Sequence, residues 1–243
     1  MEAIAMILSF MNRNVSIYLR KPAGYNADQL YPVLLLLSLM SKANATIRRF
    51  CKYKVLPPLG GKEVTQLPHE GSTIRNRLVR LMTDVNIQIK RLSAQFLFIL
   101  CKENVSRLVK YTGYGNAAGL LAEAGLMLSK HGDRGAYSSE SDDSDTDEYK
   151  RLEEHVNPIT GRAEPGAEAR KRDIFEGMSE EQKEYEALQI VKTIEKLTSS
   201  GLIRPATIGA DGKPVEIEHI LQLQDGGATL KNQTTKDNKE ENN

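Results

Sequence analysis

The stretch YSSESDDSDTDEY, residues 137–149, gathers Ser138, Ser139, Ser141, Ser144 and Thr146 among Asp and Glu, with no aliphatic residue inside it. The chemistry open to such a stretch is phosphoryl acceptance. An acidophilic kinase of the casein type prefers an acid three residues beyond its target hydroxyl. Ser139 has Asp142 there and Ser144 has Asp147, whereas Ser138, Ser141 and Thr146 have Ser141, Ser144 and Tyr149. Ser139 and Ser144 are therefore the expected phosphorylation sites, each phosphate adding a charge of roughly −1.5 to −2. Such charge needs a basic surface to receive it. Arg48, Arg49 and Lys52 on one short helix, with Arg75, Arg77, Arg80 and Arg91 on the next pair, are the expected docking residues.

Other chemistry finds little support. The four histidines, at positions 69, 131, 155 and 219, are scattered, with no Cys or second His at ligand spacing. The sequence holds no nucleophile elbow and no phosphate loop. The acids of 137–149 lack the central Gly and closing Glu of a calcium loop. GYGNAAG, with Gly113, Gly115 and Gly119, follows a helix rather than a strand and reads as an interhelical turn, with Asn116 capping the next helix. No cofactor, metal or covalent catalysis is expected.

Charge divides the chain in two. Residues 1–130 hold 18 Lys and Arg against 7 Asp and Glu, and residues 131–243 hold 15 against 25. A basic body followed by an acidic tail either pairs in cis or serves oppositely charged partners. Cys51 and Cys101 lie in apolar, helix-like runs, as buried thiols in a reducing compartment do. The start MEAIAMILSF has neither a basic n-region nor a cleavage site, and VLLLLSLM at 33–40 is too short to span a bilayer, so an intracellular chain with no transmembrane segment is expected.

Apolar periodicity predicts helices through residues 1–130. Ile4, Ile7, Leu8 and Met11 share a face of the first. Asp28 is positioned to cap a helix carrying Leu30, Leu34 and Leu37. A short helix near 46–54 stops at Pro57-Pro58 and Gly60-Gly61, and Ser72 is placed to cap the next. Helices near 87–102, 105–110 and 116–129 complete the series, with Phe96 and Leu100 inward. This rhythm predicts an all-α chain, an armadillo/HEAT-type α-solenoid over 1–130, with a compact bundle as the competing fold. Residues 131–178 are too polar for a core and are expected to form a disordered acidic linker. Residues 179–201 should form an amphipathic helix, capped by Ser179 and Gln182, with Leu188, Val191 and Ile194 in its apolar stripe. The tail 202–243 is expected to be mostly disordered.

Particular blocks then carry a resemblance. KVLPPLG at 54–60, TIRNRLVRLMTDV at 73–85, AQFLFILCKENVSRLVKYTGYGNAAGLLAEAGL at 94–126, NPITGR at 157–162 and EGMSEEQKEYEAL at 176–188 occur in one order around the acidic insert. The chain resembles the synembryn family (resistance to inhibitors of cholinesterase eight). That resemblance implies a cytoplasmic chaperone and exchange factor for heterotrimeric G-protein α subunits, recruited to the cell cortex or plasma membrane. It implies an armadillo/HEAT solenoid, a phosphorylatable linker in which Ser139 and Ser144 fall at the family's sites, and a C-terminal helix. Members of the family are longer, so this chain is expected to begin within the solenoid. Tyr111, Tyr114 and Asn116, with Leu188, Val191 and Ile194, are the expected partner-binding residues. An importin-like adaptor for extended peptides and a nucleic-acid-binding repeat protein are the alternatives, the latter weakened by sparse aromatics and the absence of Trp.

Overall fold

The computed structural model of the chain describes residues 1–21, 27–127, 145–164 and 177–217. It is mostly helical and divides into two compact units, the first running to Ala167 and the second beginning at Glu168.

The first unit is built from helices in the expected order. α1 (Glu2–Arg20) buries Ile4, Leu8, Met11, Val15 and Tyr18, one side chain per turn of a single face. A one-turn 3₁₀ segment, Ala27–Gln29, leads into α2 (Leu30–Ala43), so Asp28 lies in that turn and the cap position falls to Gln29. α3 (Ala45–Val55) starts at Asn44, whose side chain accepts from the Thr46 and Ile47 amides at 2.9 and 3.1 Å. α4 (Gly61–Thr65) is one turn, and α5 (Ile74–Leu81) is capped by Thr73 rather than by its neighbour Ser72. α6 (Ile87–Leu100) and α7 (Val105–Thr112) start at Asn86 and Asn104, each accepting from amides of its first turn. α8 (Tyr114–Glu123) follows α7 with only Gly113 between them.

α2 and α6 are the central pair. Their facing stripes, Leu30, Leu34 and Leu37 with Phe96, Leu97 and Leu100, are all but inaccessible to solvent, and α1, α3 and α5 pack around them. Burying a side chain of this size contributes roughly 1.5–3 kcal/mol, so this pair carries much of the cohesion.

Two expectations change here. The segment 145–164, placed by composition inside a disordered linker, is ordered and fastened to the helices. It forms α9 (Asp147–Leu152), a 3₁₀ turn, and a two-stranded antiparallel hairpin of β1 (Val156–Asn157) with β2 (Arg162–Ala163). Its apolar content is small, but Tyr149 and Ala163 are buried in the common core. Polar contacts do the rest. Thr146 donates its hydroxyl to Leu59 O and caps α9 through Tyr149 N. Glu148 Oε2 accepts from Gly61 N at 2.7 Å, and Asp145 pairs with Lys110, whose ammonium lies 4.4 Å from the Tyr149 ring centroid.

Asn116 is the second change. It lies inside α8 and donates to Thr112 O at 2.7 Å, so it does not cap the helix. The α8 N-terminus is closed instead by the hairpin turn. Tyr114 N donates to Pro158 O at 2.8 Å and Gly115 N to Ile159 O at 2.9 Å.

The second unit holds α10 (Glu180–Ser199), capped by Ser179 through Gln182 N at 3.2 Å, and none of its side chains is buried. Part of the expected disordered tail is a hairpin, β3 (Ala206–Ile208) with β4 (Pro214–Glu216), closed by Gly209 N on Lys213 O at 2.8 Å. Among the described residues, no helix is long and apolar enough to cross a membrane.

Two outcomes follow from the first unit. Gly113 has φ +72°, and a Cβ there would stand 2.8 Å from the Thr160 backbone carbon and oxygen. Gly113→Ala should cost roughly 2–4 kcal/mol and expose the 157–163 turn to protease, read by thermal melting and limited proteolysis. The second concerns pH. Burial, then the Asp84 bond, pushes Tyr18 up to about 12, and burial, then Glu153 and Asp145, does the same to Tyr149. Both phenols stay protonated, folded or unfolded, below their ordinary value of 10.0. Above that value the unfolded chain ionises first, so stability should fall as pH rises from 10.0 towards 12. Tyr149→Phe should flatten part of that slope in urea titrations across the same window.

Candidate functional site: a basic cleft and the strap beside it

Sequence alone places Arg48, Arg49 and Lys52 on one helix, and the structure adds two cations from elsewhere. Arg48, Arg49, Lys52, Lys102 and Arg107 line one cleft with Leu100, of about 10 Å³, space for roughly one water. α3 brings three of them at i, i+1 and i+4. Lys102 follows α6 in the left-handed region (φ 58°), as does Glu103 (φ 54°), a conformation that costs a non-glycine residue free energy. Glu103 is held there by Lys42, 3.1 Å away, and by its amide on Phe98 O at 2.8 Å. Arg107 comes from the first turn of α7. A sequence signal for Lys102 and Arg107 existed only as lone cations beside a helix end.

These cations are not equivalent. Arg48 is buried and donates through Nη1 to Ser41 O at 3.0 Å, which makes it part of the α2–α3 joint. Arg49 is exposed and Lys52 half-buried.

The other expected docking residues do not line this cleft. Arg75 is buried elsewhere. Arg77 donates to Asn12 Oδ1 at 2.6 Å, which ties α5 to α1. Arg80 donates to Gly71 O at 3.1 Å, and Arg91 pairs with Glu123 at 3.0 Å. Each of these three guanidiniums is committed to the scaffold, because a basic residue on a packed helix face is recruited by the nearest acceptor.

The ordered segment 145–164, the strap, enters next to the cleft. Lys110, which binds Asp145, lies one helical turn beyond Arg107 on α7. Ser139 and Ser144 lie outside the described residues.

Of the expected partner-binding residues, Tyr111 is corrected. It is 1% exposed and among the largest fully buried side chains, because it belongs to the common core. Tyr114 is partly buried and packs against the same core, and Asn116 serves the α7–α8 junction. On α10, Leu188 and Val191 are exposed and Ile194 is half-buried. Ile190 and Tyr185 are exposed as well. Among the described residues, no group of three His, Cys, Asp or Glu could hold a metal ion, and Cys51 and Cys101 are buried thiols.

Comparison with known proteins adds the family. The guanine nucleotide exchange factor synembryn (Ric8) family matches over residues 1–213. Chaperone Ric-8 of Drosophila melanogaster is 46% identical over 198 residues, which cover 82% of this chain and 34% of that protein. Chaperone Ric-8A of Danio rerio is 43% identical over 93% of this chain and 40% of its own length, and that of Xenopus laevis 45% over 91% and 39%. The chain thus spans less than half the length of the curated relatives it matches. With the match reaching from Met1 through both described units, this chain belongs to the synembryn (Ric8) family of guanine nucleotide exchange factors and chaperones.

Proposed function

We propose that the chain acts as part of a chaperone and exchange factor for heterotrimeric G-protein α subunits. The observation that carries this reading is the family match over residues 1–213, which takes in the helical body, the strap and α10 alike. The mechanism is differential binding. A surface that fits the nucleotide-free, partly opened α subunit better than the GDP-bound form draws GDP off, and GTP later displaces the chaperone. It requires no covalent step and no cofactor. α1–α8 serve as armadillo/HEAT-type repeats that hold one part of the α subunit, and α10 offers Leu188, Val191 and Ile194 to another. Tyr114 keeps enough surface to contribute at the α8 start; Tyr111 does not. The setting is cytoplasmic, with recruitment to the cell cortex.

The cleft serves regulation. An acidophilic casein-type kinase modifies Ser139 and Ser144, and the phosphates settle against Arg49, Lys52, Lys102 and Arg107. Asp145 on Lys110 supports this, because it fixes the chain one residue from Ser144 and one helical turn from Arg107. Arg contacts to phosphate gain from geometry as well as charge.

Three measurements test these statements. Immobilised GDP-bound α subunit should capture the chain, apyrase should strengthen capture, and excess GTPγS should release it. Capture that GTPγS leaves unchanged would overturn the reading in favour of an adaptor. The pair Leu188→Asp with Val191→Asp should weaken capture at least roughly 30-fold, the scale of a lost hot spot, without moving the melting of the first unit. For the cleft, Arg48→Ala should cost about 1–3 kcal/mol of stability through the orphaned Ser41 carbonyl. Arg49→Ala should leave melting unchanged yet remove the protection of the strap from protease that kinase treatment confers. Ser139→Ala with Ser144→Ala should remove it too.

A further inference from the structure

Most buried polar side chains of the first unit are accounted for by a cap, a joint or a backbone bond; among the described residues Arg75 is the buried charged side chain that is not. It stands in the first turn of α5 and is 6% exposed. Burial lowers its basicity, an effect that the Glu63 carboxylate opposes. Among the described residues, its guanidinium has no hydrogen-bond or ion-pair partner. Nor are its nitrogens sealed, since the sealed and partnerless side-chain atoms among the described residues are Ser41 Oγ and Arg80 Nε. The guanidinium therefore reaches open space.

That space is a pocket of about 230 Å³. Pro57, Pro58, Leu59 and Ile74 form its apolar walls. Two consecutive prolines offer no amide donor and fix the backbone, so this wall is both apolar and stiff. Thr146 grips Leu59 O from outside, which holds the wall in place. Lys54 and Glu63 complete the charged lining. Lys54 keeps its ammonium 5.5 Å from the Tyr53 ring centroid, and Glu63 accepts from Gly60 N at 3.2 Å. With Arg75 the lining carries two cations and one anion, a balance suited to a ligand with a single negative charge. A phosphate dianion would meet the Glu63 carboxylate at a loss.

We propose that this pocket binds a small monocarboxylate, its two oxygens on the Arg75 fork and its compact branched hydrocarbon body against Pro57, Pro58, Leu59 and Ile74. A guanidinium presents paired N–H groups in the geometry a carboxylate accepts. The preformed, partly apolar cavity is smaller than most drug-sized sites, which restricts the ligand to a body of a few carbons. A free carboxylic acid and the last residue of a polypeptide share this chemistry. The site stands apart from the exchange function.

The test is titration of the whole chain, labelled with ¹⁵N, with 4-methylpentanoate and with N-acetyl-leucine, against N-acetyl-leucinamide and inorganic phosphate. One or both carboxylates should bind with Kd of about 1 mM or tighter and shift the amides of Leu59, Ile74 and Arg75. The amide and phosphate should bind at least about tenfold more weakly. N-acetyl-leucine binding as tightly as the free acid points to a polypeptide end; binding of 4-methylpentanoate alone points to a small molecule. No shift with either carboxylate at about ten times that concentration overturns the proposal, and so does phosphate binding as tightly. Arg75→Met should lose binding at least about tenfold without a lower Tm, since it removes a desolvated charge that nothing in the scaffold pairs. Should that variant fail to fold, Arg75→Lys, which keeps the charge and loses the fork, should bind at least about tenfold more weakly. Undiminished binding by a folded variant overturns the assignment.

Discussion

One contact holds the first unit's architecture to its strap: the meeting of Gly113 with Gly161. A Cβ on Gly161 would stand 2.7 Å from Pro68 Cγ and 3.0 Å from Gly113 Cα, and one on Gly113 would meet Thr160 just as closely. Both residues also have φ +72°, where a side chain is strained. Only two glycines allow the backbones of the α7–α8 junction and the β1–β2 turn to touch. That approach lets Pro158 O and Ile159 O reach the first amides of α8, groups that an isolated helix leaves to water. The most distinctive blocks of the sequence, KYTGYGNAAG and NPITGR, are thus two halves of one joint.

From that joint the strap runs back through Tyr149, Thr146 and Asp145, and each contact fastens a different element. Tyr149 fills the core beside Lys110, Thr146 holds the loop before α4, and Glu148 covers the first amide of α4. The strap therefore supplies few apolar side chains but several hydrogen bonds to backbone groups that would otherwise lie unpaired. A bond of this kind contributes about 0.5–1.5 kcal/mol, and its loss leaves a partner orphaned at greater cost. An acidic segment can be ordered in this way without a core of its own.

This explains what was legible in the sequence. The helices of the body were, because the apolar stripes of α1, α2 and α6 repeat with the helical period, and α10 was, because Ser179 caps it locally. Where a cap came from far along the chain, local reading failed. Asn116 looked like the start of α8 because it is a good capping residue, but Gly113 and a turn more than forty residues away already perform that task. The order of 145–164 escaped for the same reason: its fastening is polar and non-local, and composition registers neither. A tyrosine between polar neighbours, such as Tyr111, reads as amphipathic, whereas the fold encloses it in the core. For the candidate site, the α3 cations were legible as a cluster, and Lys102 and Arg107 were not, since only the fold brings three elements to one cleft.

The charge asymmetry of the chain takes on a specific meaning in this light. Among the described residues, its basic part meets the acidic strap through directional contacts: Lys110 with Asp145, and the first amide of α4 with Glu148. Exposed ion pairs are worth little, but Lys110 and Asp145 are both mostly shielded, and Lys110 is also committed to the Tyr149 ring. A contact that combines shielding, charge and an aromatic face sets register as well as affinity. It places Asp145 beside α7, one turn from Arg107. The arginines at 77, 80 and 91 are engaged instead with Asn12, Gly71 and Glu123, contacts that tie the helices to one another and to the loops between them.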